Sequence, residues 1–329
     1  MKRLFSPVRV LAALIAAVGF VGAGQAQTQY QLTMCGASPG GLWSLLGAGV
    51  DAAVKAAYPG STVTYQTSGG GFANVALLAQ KKCDIALIHD AEAIAAVNGR
   101  EPFKAPMQHL RTVAVLYTWA PMQLIVSKAF ASENGVESLE DIVTKRLPVR
   151  LLLNRRGNVA SQVGEAMLEA VGADIESYGG SVTYAASKEQ GELMRDRRAD
   201  AMLNSLFVGH GSIRQLASAI DLTLLPITET TAGKVAGQWK IAPFTIPGGS
   251  YEWAPKDTRT VTLAAQLFVN AEADDKMVGD LTRALIEHAA KVAGVHKAMA
   301  PLDAKLMASG TAVDYHPAAQ AAYAAAGLR

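Results

Sequence analysis

Two cysteines, Cys35 and Cys83, and six scattered histidines are all the soft metal ligands this 329-residue chain carries. No histidine pair stands four apart and there is no CxxC, so the spacings that build zinc sites are missing. Charged residues make up only 18% of the chain, and the formal net charge is +2. Three of the basic residues, Lys2, Arg3 and Arg9, fall in the first nine positions, and without them 27 basic residues face 28 acidic ones. No basic stripe remains to hold nucleic acid. The dinucleotide fingerprint G-x-G-x-x-G is absent from both glycine-rich turns, which argues against a Rossmann cofactor site. No cofactor is expected. Beyond the N-terminus no segment is apolar enough to span a bilayer.

What is present begins with a leader. Met1 to Arg9 is basic, Val10 to Val21 is apolar, and Gly24-Gln25-Ala26 has the small residues of a cleavage site. The apolar run is shorter than the ~20 residues a membrane span needs, so residues 1–26 are expected to be a cleaved signal peptide. The mature chain is then exported, periplasmic and not inserted in the membrane. Half of all residues are apolar, which fits a globular protein of two ordinary domains.

Export permits a disulfide. The expected strand Cys83–Ile88, laid parallel to Tyr30–Met34, puts the two sulfurs at opposite ends and beyond bridging distance. Two buried thiols are therefore expected.

The stretch Cys35-Gly36-Ala37-Ser38-Pro39-Gly40-Gly41 follows a short apolar strand and feeds a helix with a 3.6-residue apolar stripe from Leu42 to Ala57. A glycine turn there leaves N–H groups at the positive end of a helix, suited to a carboxylate or phosphate. The pattern repeats at Thr67-Ser68-Gly69-Gly70-Gly71 ahead of the helix Phe72–Lys81, and a third strand ends in His89-Asp90. Leu110–Tyr117 is another strand, with Trp119-Ala120-Pro121 after it. Strands alternating with helices predict a parallel sheet flanked on both faces, with ligands bound beyond the strands' carboxyl ends. All three motifs fall there.

From Met122 the pattern restarts, with strands at Gln123–Val126, Val149–Leu153, Ser181–Tyr184, Ala199–Leu203 and Leu222–Leu225. The tail supplies a strand at Thr260–Val269 and helices at Asp274–Ala293 and Pro317–Ala326. The expected fold is α/β and two-lobed, each lobe a mostly parallel sheet flanked by helices. Residues 27–120 and 227–329 form one lobe and 121–226 the other, joined near Tyr117–Gln123 and near Leu225–Thr228. No short-period repeat appears.

The candidate ligand-binding residues follow from these positions. In the first lobe they are Ser38, Gly40, Gly41, Thr67, Ser68, Gly70, Asn74, His89 and Tyr117. In the second they are Arg155 and Asn158, in the turn Asn154-Arg155-Arg156-Gly157-Asn158, and Asn204 and Ser205 at a strand end. An arginine between a strand and a helix can offer a planar fork to a carboxylate. Each has a plainer role open to it. Arg156 can be a solvated surface group, His89 a half-buried packing residue, Asp90 a helix cap, Asn74 a tie for its own turn, and Tyr117 and Trp119 hinge packing. Gly36-Ala37-Ser38-Pro39-Gly40 also matches the hydrolase elbow G-x-S-x-G. That mechanism uses the N–H after the serine, and Pro39 has none. A serine hydrolase built on Ser38 is thus the disfavoured alternative, and a serine-reactive probe separates the two.

Taken in order, several motifs resemble the TAXI family of solute receptors from TRAP transporters. They are Ser38-Pro39-Gly40-Gly41, Thr67-Ser68-Gly69-Gly70 with Asn74, His89-Asp90, Leu116-Tyr117, Asp200-Ala201, Ile246-Pro247-Gly248-Gly249-Ser250-Tyr251, and His316-Pro317-Ala318-Ala319. The resemblance implies a type II periplasmic-binding-protein fold and no catalysis. It further implies capture of a small organic anion by a monomer and handover to TRAP transporter membrane subunits driven by an ion gradient. A sensor that presents its ligand-bound form to a signalling partner instead of a permease is a third reading, beside the receptor and the hydrolase. Two positions depart from the family pattern: Asn154–Asn158 replaces a G-S-G-T-like turn, and His89 stands where glutamine is frequent. The added arginine points to a dicarboxylate or another strongly anionic solute.

Overall fold

A computed structural model describes residues 28–37, 39, 41–311 and 313–329. The leader expected at 1–26, and the candidate positions Ser38 and Gly40, lie outside the described residues. The first half of the chain lays down β1 (Gln31–Cys35), α1 (Leu42–Ala57), β2 (Thr62–Gln66), α2 (Gly71–Ala79), β3 (Ile85–His89) and α3 (Asp90–Val97), then the 18-residue β4 (Leu110–Ser127). Next come α4 (Lys128–Asn134), α5 (Leu139–Thr144), β5 (Arg150–Leu153), α6 (Val159–Ala170), β6 (Ser181–Tyr184), α7 (Ser187–Arg195), β7 (Ala201–Ser205), α8 (Gly211–Ala217) and β8 (Leu222–Leu225). The chain returns through α9 (Glu229–Trp239), β9 (Ala242–Ile246), β10 (Thr258–Asn270), α10 (Asp275–Glu287), α11 (Ala289–Ala293), α12 (Ala304–Met307) and α13 (Pro317–Ala325).

The strands form one curled mixed sheet in the order β2-β1-β3-β10-β4-β7-β5-β6, with β8 also on β4 and β9 on β10. The parallel groups β2-β1-β3 and β6-β5-β7 are the two expected α/β units. Between them run β4 and β10, antiparallel to their neighbours. Alternation along each strand feeds helix layers on both faces. In β3, Ile85 and Leu87 enter the core under α1 and α10, while Ala86 and Ile88 face Val75 and Leu78 of α2. In β5, Leu151 and Leu153 pack toward α6, and Leu152 points to the layer holding Met194 and Ile213. The N-terminal part of β10 contributes Val261 and Leu263 to that second-half core. No helix among the described residues is long and apolar enough to cross a membrane.

Three expectations are corrected. Leu110–Tyr117 and Gln123–Val126 are not separate strands; β4 runs through both. Pro121 falls where the strand exchanges partners, the last β10 pair being Thr262 with Pro121 and the first β7 pair Ser205 with Met122. A residue without an N–H is tolerated where one ladder hands over to another. The helix expected over 274–293 is interrupted at His288, whose backbone leaves the helical region at φ −119°.

The third correction is the cysteines, which are not free thiols: Cys35 and Cys83 form a disulfide, with Cα atoms 5.8 Å apart. The expectation of thiols failed because it placed Cys83 in the strand. β3 begins only at Ile85, and a bend at Asp84 brings Cys83 to the end of β1. The Asp84 carboxylate accepts the Thr33 N–H at 2.7 Å, and the Asp84 N–H donates to Thr33 O.

Candidate functional site

The carboxyl ends of β1, β2 and β3 carry the first-half candidates, and hydrogen bonds draw them into one unit. Asn74, fully buried in the first turn of α2, donates its amide to Gly36 O at 2.8 Å and to Leu87 O at 2.7 Å. Ser68 Oγ lies 2.6 Å from both Gly36 O and Asn74 Oδ1, and accepts the Gly70 N–H at 3.0 Å. Gly70 opens α2 at φ +99°, a conformation that excludes ordinary side chains. Asn74 therefore ties the ends of β1 and β2 to the middle of β3. Thr67 is exposed beside it.

The first turn is held from the other side by Tyr65. Its hydroxyl accepts the Ala37 N–H at 2.7 Å and donates to Ala37 O at 3.1 Å, while the Gly36 N–H donates to Gln66 O. Two donors of the turn are thereby used within the chain. A Cβ at Gly36 would overlap the Tyr65 ring. Gly36→Ala is expected to cost about 1–3 kcal/mol through this overpacking. Thermal melts of Gly36→Ala, Tyr65→Ala and the double variant check it, and strict additivity would show that the two positions do not clash.

His89 ends β3 inside a buried relay. Trp43 Nε1–H donates to the Tyr117 hydroxyl at 3.0 Å, that hydroxyl lies 3.3 Å from His89 Nε2, and His89 Nδ1 is 3.1 Å from Glu92 Oε2. A carboxylate at Nδ1 fixes the proton there and leaves Nε2 to accept from tyrosine. The His89 N–H also donates to Glu92, forming a capping box at α3. Tyr117 is 3% exposed, and burial drives its hydroxyl well above the usual phenol range. The Glu92 carboxylate packs so closely on Gly71, the first residue of α2, that a Cβ there would overlap it. The mouth of α2 thus already faces an anion of the same chain.

Asp90 is half-buried beside this relay. Its Oδ1 accepts the N–H of Ala91 at 2.8 Å and of Ala264 at 3.2 Å. Ala264 sits where the register of β10 against β4 shifts, so this carboxyl group takes up an N–H beside the irregular ladder. Burial pushes its pKa up to about 7, against the pull of those two N–H groups and His89.

The second-half candidates divide. Asn204 is fully buried; its amide donates to Ser187 Oγ and Gln190 Oε1, and its oxygen accepts from Asn154. Ser205 Oγ donates to Ala120 O at 2.7 Å and fastens β7 to the crossing strand. Asn158 caps α6 through the Ala160 N–H. Arg156 lies 3.7 Å over the Tyr184 ring. Arg155 is exposed, and among the described residues its guanidinium has neither an ion pair nor a hydrogen bond.

The halves meet through an aromatic contact and a cavity that the candidate residues only border. Phe207, after β7, packs edge-on to Tyr117 with ring centroids 4.9 Å apart. Beside it opens a cavity of about 510 Å³, walled by Gly41, Leu42 and Leu45 from α1's start and Phe207–Ser212 with Arg214 from the second half, with His296 and Lys297 at one side. Of the predicted residues that are described, only Gly41 lines it. Glu92 could have been found from its spacing three after His89, a capping signature. Arg214, His296 and Lys297 carry no local signal, because their proximity is created by the return of the tail.

Solved structures that resemble this fold include three periplasmic or ligand-bound proteins. They are the periplasmic binding protein BugD (TM-score 0.53, 12% identity, 83% of this chain and 87% of that one), MatC from Rhodopseudomonas palustris with bound malate (0.54, 13%, 82% and 88%), and PhnD1 from Prochlorococcus marinus in complex with methylphosphonate (0.51, 10%, 80% and 89%). At these identities the likeness speaks for the periplasmic-binding-protein fold alone. The model of the NMT1-like family matches residues 34–327, so nearly the whole described chain, both halves included, belongs to the NMT1-like family.

Proposed function

We propose that this chain is an exported, non-catalytic solute receptor of the TAXI kind. Cleaved after Ala26, it acts in the periplasm as a monomer and captures a small organic anion, a carboxylate or dicarboxylate. Lobes 27–120 with 227–329 and 121–226 close on that ligand, and the loaded form delivers it to TRAP-type membrane subunits. The observation that carries the reading is the cavity of about 510 Å³ between the halves, bordered by Gly41 on one side and Phe207–Ser212 with Arg214 on the other, with no carboxylate lining it among the described residues. Closure requires ligand contacts to both sides, since only differential binding to the shut state shifts the equilibrium. The family and the fold are consistent with it, and MatC and PhnD1 were each solved with a small anion.

Arg155 does not line this cavity; it is the candidate counter-charge that the second lobe brings to the ligand on closure, exposed at a turn where a fork can meet a carboxylate. Calorimetric titration with a dicarboxylate panel tests the reading. At least one member is expected to bind, and Arg155→Ala to weaken it about tenfold, a loss of ~1.4 kcal/mol. Unchanged affinity removes Arg155 from the site; no binding by any carboxylate sinks the receptor.

A further inference from the structure

The lining of the interlobe cavity is specific in charge and in shape. Four side chains with N–H groups to donate, His210, Arg214, His296 and Lys297, line it together, drawn from both halves, and among the described residues no aspartate or glutamate lines it. Among the described residues neither Arg214 nor Lys297 has an ion pair. Both histidines spend Nδ1 on their own backbone: His210 accepts the Ser212 N–H at 3.2 Å and His296 the Ala298 N–H at 3.1 Å. An imidazole accepting at Nδ1 keeps its proton on Nε2, so each ring is fixed as a donor. Burial, with His296 and Arg214 nearby, holds the His210 pKa below its ordinary value, so this ring donates as the neutral form.

The remaining wall is apolar. Leu42, Phe207 and Val208 line it, and so does Leu45, a large hydrophobic left 38% exposed. Phe207 is braced by Tyr117 and cannot fold away without losing that contact. A cavity of this volume lies within the range that encloses small ligands.

We infer that this cavity binds an organic acid with one anionic end and an apolar body, the anion among Arg214, Lys297 and the histidine Nε2–H groups and the body against Leu45 and Phe207. This rests on the receptor reading and narrows it. The cations and the hydrophobic wall come from both halves, so such a ligand bridges them. A purely polar dicarboxylate leaves Leu45 and Phe207 in water and forgoes the apolar gain.

Calorimetry on the mature chain with phenylacetate, its neutral amide phenylacetamide, and succinate tests this. Phenylacetate is expected to bind at least tenfold tighter than either other compound. The double variant Arg214→Gln/Lys297→Gln is expected to lower its affinity tenfold or more. Leu45→Asp, at an exposed helix position, places a like charge in the cavity and is expected to do the same with the melting temperature unchanged. Phenylacetate binding that ignores all these substitutions overturns the assignment to this cavity and leaves the receptor standing. Succinate binding without phenylacetate binding overturns the apolar body alone. Failure of every carboxylate to bind overturns both.

Discussion

Removing the Cys35–Cys83 bridge with the double substitution Cys35→Ala/Cys83→Ala is expected to lower the unfolding free energy by about 4 kcal/mol. The two residues are 48 apart in sequence, and the closed loop contains α1, β2 and α2. Cross-linking such a loop restricts the unfolded chain far more than the folded one. The loop also holds both glycine turns, and Cys35 immediately precedes Gly36. Both cysteines are buried with Val75, Leu78 and Phe268, so the alanine variant leaves some lost packing on top of the lost constraint. Denaturant midpoints of wild type with and without reductant, beside the variant, measure the effect. Alkylation of two thiols in the untreated protein, or identical midpoints in all three samples, would contradict the bridge.

Replacing Asp90 by asparagine is expected to raise stability at neutral and alkaline pH and to leave it unchanged near pH 4. The sign follows from linkage. Unfolded, the carboxyl titrates near its ordinary value of 3.8; folded, burial lifts it to about 7. Between those values the folded state binds more protons than the unfolded state, so stability falls as pH rises. The protonated group's contribution is whole below about pH 4 and is lost as pH passes about 7. The interval corresponds to a loss of no more than about 4 kcal/mol. Asparagine keeps an oxygen for the Ala91 and Ala264 N–H groups and carries no charge to desolvate. Melting curves from pH 4 to 8 should show the two proteins diverging across that window, by about 2–4 °C for each kcal/mol. Parallel curves would mean that Asp90 ionises normally in the fold. Because Ala264 lies in the strand that crosses between the halves, the same titration acts on the joint.

The local elements were legible because each leaves a short-range trace. The 3.6-residue stripe of α1 and the glycines ahead of α2 specify helices from short stretches of chain. Alternating strands and helices specified the α/β class, which the curled mixed sheet bears out. The errors share a physical origin. The expected strand stops at Tyr117 with Pro121 beyond it, yet β4 runs on through Pro121, because a missing N–H costs little at a change of partner. Cys83 was placed by its apolar neighbours, but the bend at Asp84 depends on Thr33, 51 residues away.

By itself the sequence determined where chain direction reverses, which faces are apolar, and that glycine turns follow β1 and β2, since propensity and periodicity act within one or two turns of chain. Only the tertiary structure decided what those turns face. It gave Asn74 to three strands, filled the mouth of α2 with Glu92, and gathered Arg214, Lys297 and two histidines around a cavity. Contacts between residues scores to hundreds of positions apart form when packed elements exclude water together, and no pattern within a single element records them.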